Sequence, residues 1–214
     1  MQLRLQDAFV LAARHESAGR RADARAIYVQ ILATLPDHPG ALLKIALQEI
    51  DEGCSDVARE RLERALKVAQ RQALPTQEIW LALGRAHLAR ADKDAARHAV
   101  ARAVELMPES PDVVTRLGHL ALDAGDPSLS EHCFRTVRER EPRHAGAASG
   151  LALALAAQRR LDEALTAAQA GIEFAPTSLH AVRVMTFVAL QRHCLLYTSP
   201  SPRDRSVSRM PSGG

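Results

Sequence analysis

Residues 77–110 read QEIWLALGRAHLARADKDAARHAVARAVELMPES, and residues 111–144 read PDVVTRLGHLALDAGDPSLSEHCFRTVREREPRH. In the first of these, Ile79, Trp80, Leu83, Ala86 and His87 recur at the i, i+3, i+4 and i+7 spacing of one helix face. Ala96, Ala99, Val100, Ala103 and Val104 form a second such face, and Pro108 is expected to stop that helix. The connection at Ala91 to Lys93 is too short for anything but an antiparallel helix pair. In the second stretch Gly125 falls in this turn. Asp126 then precedes Pro127, an N-cap followed by proline at the first helical position.

The two stretches are copies of one pattern. Pro108, Pro142 and Pro176 stand 34 residues apart, as do Leu83, Leu117, Leu151 and Met185. Trp80, Val114, Ala148 and Val182 form another column, and Gly84 aligns with Gly118, Ala152 and Thr186. Working outward, a first unit spans 5–38, a second 39–76, a fifth 145–178, and a sixth begins at 179 and gives one helix to about His193. The second unit departs from the period. Its second helix is expected to run on through Val68, Ala69 and Ala73 to Pro75, an insertion of about five residues that resets the register before Trp80.

The composition agrees with helices and disfavours strands. AVILMFWYC make up 47% of the 214 residues but aromatics only 3%, and alanine dominates the apolar part. Sandwiches and barrels draw on β-branched and aromatic residues, whereas alanine favours helix and lets helices approach closely. The formal charge of +3 is a small excess, almost all its cations arginine. Segments such as RERLER and VRERE alternate in sign and read as solvated faces with i,i+3 and i,i+4 pairs. No basic run interleaved with aromatics points to nucleic acid, and no apolar stretch reaches the length of a membrane span. Cys54, Cys133 and Cys194 are too few and too scattered for a disulfide framework. The cytoplasm is the expected compartment.

The columns resemble the tetratricopeptide repeat (TPR) family. Trp80, Leu83-Gly84, Ala96, Ala103 and Pro108 match its pattern of a bulky residue, a Leu-Gly pair, small residues in the second helix and a closing proline. Leu117-Gly118, Phe134 and Pro142 match in the next unit, and Ala12, Ala24, Tyr28 and Pro36 in the first. The fifth unit is degenerate, with Ala152 for glycine and Ala168 for the aromatic. The resemblance implies an all-α, right-handed superhelical solenoid of antiparallel helix pairs over residues 1–193. Ala12, Ala24, Tyr28, Ala46, Trp80, Leu83, Gly84, Ala96, Leu117, Gly118, Phe134, Leu151 and Ala164 are its expected packing residues. A single hairpin cannot bury its apolar face, so each must be covered by its neighbour. At the N-terminal end Leu3, Leu5 and Phe9 are expected to be partly exposed, and at the other end Val182, Met185, Val188 and Ala189 to lie bare or be covered only by chance contacts with Leu195 and Leu196.

In such repeats the first helix of each pair lines an inner groove. The expected groove residues are Phe9, Leu43, Leu47, Glu78, Leu81, Arg85, Leu88, Asp112, Thr115, His119, Leu122, Ser149 and Leu153. The basic, Asn-rich carboxylate clamp of some relatives is absent, and Arg85 stands as the central cation with Arg116 near the rim. Two readings of this face remain. An apolar peptide or helix is held there, with Arg85 and His119 as polar contacts, or the face packs against a further domain of the same polypeptide.

No catalytic apparatus is legible. Nine histidines form neither HExxH nor a Cys/His quartet, so no metal is expected. His15 and His87 read as helix-pair packing residues, and Cys133 as a partly buried hydrophobe. No GxSxG surrounds a serine, and the glycines are too dispersed for a phosphate loop or a cofactor. The run from Cys194, CLLYTSPSPRDRSVSRMPSGG, contains no alanine and resembles a translated sequencing adapter. Residues 194–214 are therefore expected to be a foreign, disordered tail on a natural chain broken near His193. The Ala/Arg-rich usage fits a high-GC bacterium. The expected function is a non-catalytic protein-interaction scaffold binding a protein, a peptide or a downstream domain. The alternative is an accessory repeat region of a sulfotransferase, glycosyltransferase or aspartyl-hydroxylase type of enzyme whose catalytic part is missing.

Overall fold

The structure, a computed structural model, describes residues 5–106 and 109–198, with side chains to residue 193. Among them are eleven helices and no strand: α1 (Leu5–Ser17), α2 (Arg21–Thr34), α3 (Pro39–Asp51), α4 (Ser55–Arg71), α5 (Gln77–Ala89), α6 (Lys93–Glu105), α7 (Pro111–Asp123), α8 (Pro127–Arg140), α9 (Ala145–Ala157), α10 (Leu161–Phe174) and α11 (Leu179–Thr198). The all-α helical-repeat fold is the one the 34-residue period implies. Pro108 and the expected tail beyond Thr198 lie outside the described residues. The helix of α11 continues to Thr198 rather than ending near His193. Two compact bodies, residues 1–133 and 134–214, divide within α8.

In the first body α1 pairs with α2, α3 with α4 and α5 with α6, and each pair meets the next through α2–α3, α4–α5 and α6–α7. The small residues permit this. Ala12, Ala24, Tyr28, Ile31, Ala41 and Ile45 form one buried cluster. Leu42, Ala46, Ala58, Leu62, Ala65, Ile79, Leu83, Ala86 and Ala99 belong to a second, spanning α3 to α6. Helix α4 has 17 residues against 13 or 14 in most others, which is the insertion. It ends at Arg71, because Ala73 has a left-handed φ of 52° and turns the chain before Pro75. Trp80, expected in the core, is only half buried. Ile79 fills that place, while the indole lies across the second cluster and meets His98 edge-on at 6.0 Å.

Each hairpin turn carries one residue at positive φ: Gly19, Gly53, Ala91, Gly125 and Arg159. Glycine accepts this backbone without penalty, and the alanine and arginine do not. Asp126 caps α8 by accepting from Leu129 N at 2.9 Å. His38 and His144 cap α3 and α9 in the same way, each Nδ1 accepting from the backbone N–H three residues on, at 3.1 and 2.9 Å. These two imidazoles are helix caps, a role the sequence reading did not assign.

In the second body α9 packs against both α10 and α11. It is apolar almost all round and buried at nine of its thirteen positions, as a helix covered on several sides must be. Phe134 is buried and its ring occupies the space above Gly150. On α11, Val188, expected bare or covered only by chance contacts, is fully buried, together with Ala181 and Val184, because that side rests on α9 and α10. The other side leaves Val182, Phe187 and Leu190 exposed, and Leu179 at 73%.

Candidate functional site: the face of the odd-numbered helices

The first helices of the pairs, α1, α3, α5 and α7, present most of the residues expected in a groove. Leu43 and Leu47 of α3, Leu88 of α5, and Thr115, His119 and Leu122 of α7 are half buried, and Asp112 is exposed. Phe9 is half buried at the start of the row, its ring 5.5 Å from that of His38. It fills the space a Cβ on Gly40 would otherwise take. In the second body Leu153 is half buried on α9. Ser149 is not on an open face: it is 2% exposed, its hydroxyl lying over Gly171 of α10. The missing side chain at 171 leaves a pit, and the serine turns into it.

Of several concavities in the first body, two larger ones lie along α1, and one lies between the first helices α5 and α7. Leu81 and Arg85 of α5 and Arg116, His119, Leu120 and Asp123 of α7 line a volume of about 250 Å³. Leu81, 1% exposed, and Leu120 make its floor, and the charged groups make its rim. Gly84 sets the floor, because Leu120 Cδ2 approaches within 2.7 Å of where a Cβ would stand. Small-molecule sites run to about 300–1,000 Å³. The space suits one large side chain of a longer segment better than a cofactor.

The rim is not a free cation. Arg85 Nη2 donates to Asp51 Oδ1 at 3.0 Å, and Asp51 Oδ2 accepts from Arg21 at 3.2 Å. The partner of Arg85 lies on the preceding hairpin, 34 residues away, where local sequence spacing does not reveal it. Similar pairs join α1 to α3 and α5 to α7. Lys44 donates to Glu16 at 2.8 Å, and Arg116 stands 3.6 Å from Glu78, close enough for attraction but beyond a hydrogen bond. Tyr28 is buried near Glu16, and burial first, then that carboxylate, pushes its phenol up.

Three equivalent positions facing the second helices hold His15, Glu49 and His87. Glu49 is buried and takes both Nε and Nη2 of Arg61, at 3.0 and 2.8 Å. His15 Nδ1 accepts from Arg20 at 3.0 Å. The His87 Nδ1 is buried 3.6 Å from Asp92 and without a hydrogen bond. Burial holds this imidazole below its ordinary range, against the pull of Asp92. These groups cement hairpins and do not converge on a reacting position. Among the described residues no three or more His, Cys, Asp or Glu side chains are grouped to hold a metal. No described helix is long and apolar enough to cross a membrane.

The model of the family described as tetratricopeptide repeat matches residues 43–112 and 115–178. Over 96 residues the chain is 38% identical to cellulose synthase operon protein C of Xanthomonas axonopodis pv. citri (strain 306), a match covering 44% of this chain and 6% of that protein. Among solved structures it is similar to YrrB, described as a TPR protein with an unusual peptide-binding site, at 19% identity over 84% of this chain and 91% of that one, with a TM-score of 0.63. The thermophilic TPR protein TTC0263 of Thermus thermophilus gives 20%, 87%, 100% and 0.62 for the same quantities. MamA gives 21%, 79%, 91% and 0.60. At such identities the likeness of the structures is one of fold.

Proposed function

Because the chain belongs to the tetratricopeptide repeat family, we propose that it is a protein-interaction scaffold that seats a polypeptide segment along α3, α5 and α7. The observation carrying this reading is the concavity between α5 and α7, with an apolar floor and a charged rim. An anchor side chain on Leu81 and Leu120 would supply the buried contact, and the rim the polar ones. The peptide-binding site named for YrrB is in keeping with such a use of the fold.

The test is an array of fifteen-residue peptides probed with the chain and with Arg85→Glu and His119→Ala variants, whose folding is checked by circular dichroism. Binding of peptides with a large apolar residue, lost in both folded variants, is the expected result. Unchanged binding in both variants would remove the segment from this face.

A second reading is supported by the exposed Leu179, Val182 and Leu190 on α11 and by the small fraction of the Xanthomonas protein that the match spans. In it the repeats hold a further domain of a longer polypeptide in place, and that domain carries any catalysis. Protection of α11 from proteolysis in a longer gene product, but not in this chain, would support it.

A further inference from the structure

The cavity between α5 and α7 is charged in order along α7. Arg116 lies at one end and Asp123 at the other, with Leu120 between them. Seven residues are two helical turns, so the two charges share a face about 10 Å apart. Their states differ from those of the neighbouring rim. Arg85 is committed to Asp51 by a hydrogen bond. Arg116 is held to Glu78 only at 3.6 Å, with both side chains nearly half exposed. Asp123 is exposed and makes no ion pair among the described residues.

We infer that this site takes a segment with a large apolar residue flanked on one helical face by one acidic and one basic side chain. The apolar residue fills the space over Leu81 and Leu120. The acid draws Arg116 away from Glu78, completing the hydrogen bond which that pair lacks. The base meets Asp123. A segment with two acids would set one of them against Asp123, and one with two bases would set one against Arg116. Repulsion at the rim therefore selects against both. This inference rests on the interaction reading above and adds the chemistry of the occupant.

Three synthetic helical peptides with a central leucine decide it, carrying at four residues on either side glutamate and arginine, two glutamates, or two arginines. Binding to the full chain is read by fluorescence anisotropy. The mixed peptide should bind about three- to fivefold tighter than the others, the size that exposed charge pairs supply. Asp123→Arg should move the preference to the two-glutamate peptide, and Arg116→Glu to the two-arginine peptide. Equal binding of all three, abolished by Leu120→Asp in a folded protein, would overturn the charge ordering and leave the groove standing. Binding of none would overturn the ordering, and with an empty array it would overturn the groove as well.

Discussion

Gly150 of α9 lies directly under the ring of Phe134, and a Cβ at 150 would come within 3.0 Å of three of its carbons. The ring is fully buried and has nowhere to swing. Gly150→Ala should therefore destabilise the second body by about 1–3 kcal/mol through overpacking. Gly84→Ala meets the far end of Leu120 at 2.7 Å and Val100 Cγ2 at 3.3 Å, and should cost less, since the leucine can rotate and the valine need give only slightly. Urea unfolding of the two variants checks the order. An equal or reversed cost would mean that Phe134 yields more readily than its burial implies.

The hairpin turns offer an opposite change. Ala91 and Arg159 hold φ of 58° and 65°, where the other turns carry glycine. Ala91→Gly and Arg159→Gly should each stabilise by about 0.5–1 kcal/mol, the left-handed penalty less the entropy of a freer unfolded chain. A rise in the urea midpoint at unchanged slope is the expected signature.

Cysteine chemistry should separate by burial. Cys133 is fully buried and desolvation pushes its thiol up to about 12, whereas Cys54 is exposed. Iodoacetamide at neutral pH should modify Cys54 in the folded protein and reach Cys133 only in denaturant. Peptide mass mapping reads both sites. Rapid native labelling of Cys133 would contradict the packing of α8.

Stability should fall on mild acidification through His87. Folding lowers its proton affinity below the ordinary 6.5, with burial as the main cause. Below that pH the unfolded chain binds the proton more readily than the folded one, so the contribution is complete above about 6.5 and is lost as pH drops toward the depressed folded value. Urea midpoints at pH 7.5 and 5 should differ less in His87→Gln than in the native chain.

The helix pairs and their order were legible because the columns through Leu83, Leu117 and Leu151 repeat without gaps, and stacking demands that periodicity. The cap at Asp126 was legible from its neighbour Pro127. Side-chain direction at a repeated position was not, since it depends on what the next helix offers. Ser149 shares its register with Leu43 and Thr115, yet it turns inward because residue 171 is glycine. The left-handed turns at Ala91 and Arg159 gave no signal, having no glycine to mark them. His38 and His144 looked like any other histidines until the N–H groups three residues on were placed. Arg85 read as solitary because its carboxylate belongs to another hairpin.

The ties Glu16–Lys44, Asp51–Arg85 and Glu78–Arg116 each cross from one hairpin to the following one. They act on nearest-neighbour coupling and leave the interior of each hairpin alone. At 1 M salt the Debye length shrinks to about 3 Å, so ionic strength becomes a dial on cooperativity. Brine would loosen these more exposed joints further than the links, whose Glu49–Arg61 pair is largely buried and less screened, and the melting of the first body would broaden before it shifted.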